Sequence, residues 1–173
     1  SLHRNVIFDG SADQTNQVVA FSSADSRDPE DLWAFMKGYE DEVGGRVLAI
    51  PHNGNLSMGA MFALTTRDDG PFTRSYAETR ARWEPLYEVT QIKGDGETHP
   101  ILSPGDEFAD YETWQGSTPR DSIAQKQAEY ARSALKLGLG QQAALGANPF
   151  KFGMIGSTDA HTSLAAVDED NFW

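Results

Sequence analysis

Four histidines are spread over this chain, and three of them, His52, His99 and His161, follow soon after apolar runs. His161 stands two residues beyond Asp159, in GSTDAH. In extended backbone off the end of a strand, residues i and i+2 point the same way, so this carboxylate and this imidazole can reach one point. Imidazole nitrogens and carboxylate oxygens are the donors of zinc, manganese and iron sites. The candidate metal ligands are therefore His52, His99, Asp159 and His161. Asp159 and His161 form the candidate catalytic pair, able to orient a metal-bound water. Gly156, Ser157 and Thr158 permit a tight turn before them and offer hydroxyls to hold the ligands. Possible additional donors are Glu88, Glu97 and Asn53, and Lys93 is a candidate for meeting an anionic substrate oxygen. Each residue alone also has a plain reading: a turn histidine, a surface loop, a core ion pair, a solvated lysine. The case for a site rests on their combination.

The combination depends on the elements that carry them. Residues 6–8 and 18–21 are short apolar runs, read as a hairpin or two edge strands. Asp28-Pro29-Glu30-Asp31 marks a helix start, with an acidic cap, proline at the first helical position and acids in the first turn. Leu32, Phe35, Met36 and Tyr39 give that helix one apolar face, and Gly44-Gly45 stops it. Residues 46–50 read as a strand, 73–84 as a helix and 86–92 as a strand. Residues 93–120 are irregular, which in a compact domain points to a functional loop or to disorder. A long helix is expected over 122–145 and a last strand over 151–155. Helices alternating with strands imply parallel βα units. In such folds the carboxyl ends of the strands form one rim, where sites are built. His52, His99, Asp159 and His161 would all fall on it.

Composition bounds the reading. The 173 residues suffice for one domain with a core. There is no cysteine, which removes disulfides, thiol nucleophiles and thiolate metal sites. Lys and Arg number 14 against 26 Asp and Glu, a formal charge of −12. That balance disfavours nucleic acid and anionic membrane surfaces as partners, and no apolar run approaches the roughly 20 residues of a membrane span. No G-x-S-x-G elbow, Walker loop or G-x-G-x-x-G occurs. Location stays open between cytoplasm, periplasm and secretion.

IPHNGN, YEVTQIKG and GSTDAH, in that order and each at a strand end, resemble the later motifs of the PHP (polymerase and histidinol phosphatase) superfamily. More closely, GGRVLAIPHNGNLS, ARWEPLYEVTQIKGDGETHP, LSPGDEFADYETW and NPFKFGMIGSTDAHT resemble the bacterial domain-of-unknown-function family numbered 3604, a PHP-like group. The resemblance implies an α/β fold that is part of a distorted, TIM-like βα barrel with mostly parallel strands. It implies two or three divalent ions in the intact site, with His52, Asp159 and His161 among their ligands. The ligand from the 86–92 strand is expected to be His99, or Glu97 beside it, rather than Glu88, because Glu88 precedes four more strand residues. The activity implied is hydrolysis of a small anionic ester, phosphate monoesters first and sulfate or other esters second, by metal-activated water. The superfamily opens with an H-x-H strand that this chain lacks. The expectation is therefore a single domain over 1–173 that forms the C-terminal part of a larger hydrolase domain, with the rest of its parent chain as a partner. The alternative is a non-catalytic metal-binding or structural fragment, inactive without those ligands.

Overall fold

The computed structural model describes residues 2–114, 122–159 and 161. Strand β1 (Arg4–Asp9) pairs antiparallel with β2 (Arg46–Pro51), Arg4 facing Pro51 and Asp9 facing Arg46. Between them lie a one-turn helix α1 (Ala12–Thr15) and the long helix α2 (Pro29–Val43). The start signal of α2 works as its chemistry predicts. Asp28 accepts the Glu30 N–H at 2.8 Å, and Pro29 spends no donor at the first position. Gly44 ends the helix in the left-handed region, at φ 76°. Helix α3 (Arg74–Trp83) leads to β3 (Leu86–Gln91), which turns tightly into β4 (Gly94–Asp95). Helices α4 (Ile123–Gln127) and α5 (Ala131–Leu145) precede the last strand, β5 (Gly153–Gly156).

The expected parallel barrel is not what forms. The strands make two small sheets, β1-β2 and β4-β3-β5, and among the described residues only β3 and β5 run parallel. The result is a small α/β domain with no closed barrel. Helix–strand alternation constrains connections but not which edges pair. Here β1 takes an edge of β2 antiparallel, and β2 touches β3 without sharing a ladder with it.

Two local expectations also change. Residues 18–21 form no strand: Val19 is 89 % exposed, while Val18 and Phe21 pack on the core from irregular backbone. The helix expected over 122–145 breaks at 128–130. There the Ala128 carbonyl accepts the Phe62 N–H, and the first donors of α5, Ala131 N and Arg132 N, turn to the carbonyls of Gly96 and Glu97. Tertiary partners thus replace intrahelical ones. No helix among the described residues is long and apolar enough to cross a membrane.

Apolar burial falls in two clusters. Leu32, Trp33, Met36 and Tyr39 of α2 cover Val47 and Ala49 of β2, with Trp83 closing the end. Met61, Phe62, Phe72, Tyr87, Ala131, Ala134 and Phe150 form the second. Between them sits a buried carboxylate. Glu84 accepts from Arg4 Nε at 2.7 Å and Trp33 Nε1 at 3.0 Å, and lies 3.3 Å from Arg80 Nε. Burial alone would push its pKa up, but the two guanidinium charges and these donors outweigh that and hold it below the usual carboxylate range. Removing one partner of such a group strands the others. Glu84→Ala is expected to destabilise the chain by about 3–5 kcal/mol, and Glu84→Gln by less, measured by urea unfolding.

Candidate functional site

The site is assembled by register. With Arg4 opposite Pro51, the next pair outward joins His3 and His52, and the His52 N–H donates to the His3 carbonyl at 3.2 Å. The two rings meet edge to face at 5.6 Å. Asn5 Nδ2 lies 3.5 Å from His52 Nδ1, and Glu88 Oε2 lies 3.8 Å from the same nitrogen. His52 is 4 % exposed. Burial lowers its pKa to about 4, against a partial opposing pull from Asp159, so the ring is neutral at pH 7. Glu88 moves the other way: burial first, and then the Asp159 charge, raise its pKa. Its Oε1 is buried with no hydrogen-bond partner. An imidazole and a carboxylate thus face each other beyond hydrogen-bond range, and one buried oxygen is left over.

Strand β5 brings the second half. Ser157 N donates to Thr90 O and Ile92 N to Thr158 O, so the chain beyond β5 keeps following β3. Asp159 then meets a lysine and an imidazole. Its Oδ2 binds Lys93 Nζ, and its Oδ1 lies 2.8 Å from His161 Nε2. Burial pushes the Asp159 carboxyl up, but the Lys93 hydrogen bond and the neighbouring charges outweigh it and the net shift is downward.

A polar chain connects the halves. Asn53 Nδ2 lies 3.4 Å from His3 Nδ1, Asn53 Oδ1 accepts from Gln91 Nε2, and Gln91 Oε1 accepts the Lys93 N–H at 2.7 Å. Lys93 reaches Asp159, and Asp159 reaches His161. Asn53 accordingly positions neighbours from inside rather than presenting itself on the rim. The neighbouring Gly54 allows this close approach: a Cβ there would fall 2.4 Å from both the Tyr87 hydroxyl and the Glu129 carbonyl.

His3, Asn5, His52, Asp159 and His161 line one cleft of about 690 Å³, which Arg27 and the start of α2 also line. Glu88 lines an adjoining cavity of about 560 Å³ that shares Arg4, Asn5, Val6 and Phe21 with it. The structure therefore brings together His52, Asp159 and His161, with Glu88, Asn53 and Lys93 around them. It does not bring His99 or Glu97. The His99 ring lies against Tyr130, and its Nδ1 accepts the Ile101 N–H. Glu97 is held by Arg132 Nε at 2.8 Å. It is Glu88, and not these two, that lies beside His52. A register irregularity between Glu88 and Thr90 in the β3–β5 ladder accompanies the reach of Glu88 to His52 before the strand ends. His3 and Asn5 carried no signal by themselves. The β1–β2 pairing would have found them, since both flank the residue opposite Pro51.

The donor set has the chemistry of a divalent-ion site: a neutral buried imidazole, a carboxylate with an orphan oxygen, and an Asp–His pair. Its spacing differs from the expected cluster. Among the described residues no three His, Asp or Glu side chains meet closely enough to hold one ion, and the donors stand as two pairs, His52–Glu88 and Asp159–His161.

The family model for "Protein of unknown function (DUF3604)" matches residues 1–173. No curated protein and no solved structure matches the chain.

The buried His52 makes stability depend on acid. Its folded pKa, about 4, lies below the ordinary 6.5, so the unfolded chain binds the extra proton between those values. The His52 contribution is complete above pH 6.5 and is lost as pH falls toward 4. Urea unfolding across that window should show stability falling with pH, with a shallower slope in His52→Gln. The His52 ring resonances should titrate near pH 4.

Proposed function

The chain belongs to the DUF3604 family of proteins of unknown function, and on that premise we propose that its cleft is the centre of a metal-dependent hydrolase of small anionic esters. The observation that carries this reading is the buried, electron-rich pair His52–Glu88, with one carboxylate oxygen unpartnered, beside the Asp159–His161 pair. The motifs that resemble PHP-superfamily phosphoesterases supply the reaction class, with phosphate monoesters first and sulfate esters second, by analogy. The two pairs, His52–Glu88 and Asp159–His161, would have to close together on a zinc, manganese or iron ion, which would supply a bound water with its pKa lowered to about 7.

The chain's own residues do the rest. Neutral His52 presents a ring nitrogen without first losing a proton. Asp159, kept ionised by its neighbours, is placed to accept a proton from water, and it orients the His161 ring at the mouth. Arg27, which lines the same cleft, would offer a guanidinium to an anionic oxygen, while its neighbour Asp28 is offset by Arg67 at 3.1 Å. The absence of a three-donor cluster among the described residues favours a second reading, a non-catalytic structural fragment. Turnover separates the two.

The test is the rate on p-nitrophenyl phosphate and p-nitrophenyl sulfate, with added Zn²⁺ or Mn²⁺ and after chelation. Hydrolysis should need the ion. Asp159→Ala should lower the rate by more than about 100-fold with little change in melting, since loss of a direct ligand exceeds the usual effect of its supporting residues. Glu88→Gln should behave like Asp159→Ala. His99→Ala and Glu97→Ala should stay within about twofold of the parent chain. A rate that ignores both chelation and Asp159→Ala would sink the reading.

A further inference from the structure

We propose that the ester taken by this cleft is one of an apolar alcohol, an alkyl chain or a single aromatic ring, whose tail passes Phe21 and fills the adjoining cavity while its anionic head stays by Arg27. The inference rests on reading the cleft as the site of a small anionic ester, and it names the part of the substrate which that reading leaves open.

The two cavities adjoin and differ in character. The cleft of about 690 Å³ holds the imidazoles, Asp159 and Arg27. The cavity beside it, about 560 Å³, is lined by Ile7, Phe8, Phe21, Phe35, Ile50 and Ile155. Arg4, Asn5, Val6 and Phe21 line both, so the two meet along β1 and at the Phe21 ring. Each volume lies within the roughly 300–1,000 Å³ of small-molecule sites. None of those six apolar side chains is fully buried, and Ile7 is 50 % exposed. Their open surface is apolar area that an occupant would take out of water.

Charge sets which end of a ligand lies where. In the cleft, Arg4 is spent on Glu84, Asp28 on Arg67 and Asp159 on Lys93. Arg27 is exposed and makes no ion pair with any described residue. It is the charge left over, and it suits an anion. Among the described residues the adjoining cavity offers an anion no such cation: its arginine is the same Arg4, and the Glu88 carboxylate would repel an anionic group. The head is thus confined to the cleft and the tail to the apolar side. Phe21 and Arg27 belong to one braced segment. Ser22 N–H donates to Asp25 Oδ2 at 2.8 Å, the Ser26 hydroxyl to Asp31 Oδ2 at 2.6 Å, and Asp28 N–H to Ser26 Oγ at 3.1 Å. The Phe21 ring leans on that of Phe35 at 5.6 Å. A wall held in this way loses little freedom when a ligand arrives.

The experiment is calorimetric titration of the chain with methyl-, butyl-, hexyl- and phenylphosphonate, whose carbon–phosphorus bond stands in for the ester link without being hydrolysed, and with hexylammonium. Affinity should rise about three- to fourfold for each methylene taken out of water. Hexylammonium, the same tail on a cation, should bind about tenfold more weakly than hexylphosphonate. Arg27→Gln should weaken all the phosphonates by a similar factor, about tenfold. Ala20 lines the adjoining cavity and is exposed, so Ala20→Trp can fill that space without disturbing the core. Ala20→Trp and Ile7→Ser should each weaken hexyl- and phenylphosphonate by about tenfold and leave methylphosphonate unchanged. Circular dichroism melting checks that each variant folds. No binding, a flat series, a rise that survives both Ala20→Trp and Ile7→Ser, or hexylammonium binding as tightly as hexylphosphonate overturns the proposal. So does a ligand-free dimer that Ala20→Trp dissociates, which would give the cavity to a second copy of the chain. A flat series together with ion-dependent turnover of the p-nitrophenyl esters leaves the hydrolase standing. A graded series with no turnover removes the hydrolase and keeps the paired site for an anion with an apolar tail.

Discussion

The Glu84 carboxylate is the constraint on which the rest of the structure leans. Three elements send donors to it: β1 through Arg4, α2 through Trp33, α3 through Arg80. Arg80 also donates to the Met61 carbonyl and lies over the Phe150 ring at 4.8 Å, so the same network reaches the second apolar cluster. Desolvating a carboxylate and two guanidinium groups is costly, and such a network is weak evidence of net stability. Its value here is placement. An apolar core of similar volume would hold the layers together but would not specify where β1 stops. Arg4 does, because its guanidinium must reach one carboxylate. His3 and Asn5, its neighbours in sequence, are thereby both set against His52 at the cleft.

Backbone strain gathers at the same place. Among the described residues, six other than glycine have positive φ, and Asn53, Asp159 and His161 are three of them. Asparagine and aspartate accept the left-handed region more readily than most residues; histidine does so less comfortably. The neighbouring structure must impose it. Asn53 is held by Gln91 and Asp159 by Lys93, so the polar chain that joins the two halves of the site also keeps its unusual backbone in place. The dependence runs in both directions, for without those turns the side chains would point away from one another.

How much of this could be read beforehand follows the range of the interactions. The α2 start at Asp28-Pro29, its glycine stop, β2 and the span of α3 were legible, because capping chemistry and apolar spacing act within a few residues. Strand β3 was legible for the same reason, and β5 came out two residues late. That His52, Asp159 and His161 line one cleft was legible because each follows a strand. The barrel was not what the chain forms, because alternation of helices and strands does not say which edges pair. Glu88 was passed over because it lies within the strand rather than at its end, yet it is the carboxylate that lies beside His52. His3 was invisible, since its place comes only from the pairing of β1 with β2. The break in the helix over 122–145 depends on carbonyls of Gly96 and Glu97, which no local pattern could announce.

The Arg4–Glu84 contact joins residues 80 positions apart in the chain. Closing so large a loop costs entropy that is returned only when the carboxylate is already in place, between α2 and the end of α3. Local elements and the β3–β4 turn have no such wait. The β1 edge is therefore a late arrival in folding and an early departure on warming, and the opening that exposes it leaves the aromatic cluster around Phe62 and Phe150 standing. In that partly opened molecule His52 and Glu88 keep their elements, but His3 and Asn5 are gone and one wall of the cleft with them. The kinetic order of assembly thus separates a chain that is merely compact from one whose cleft is complete.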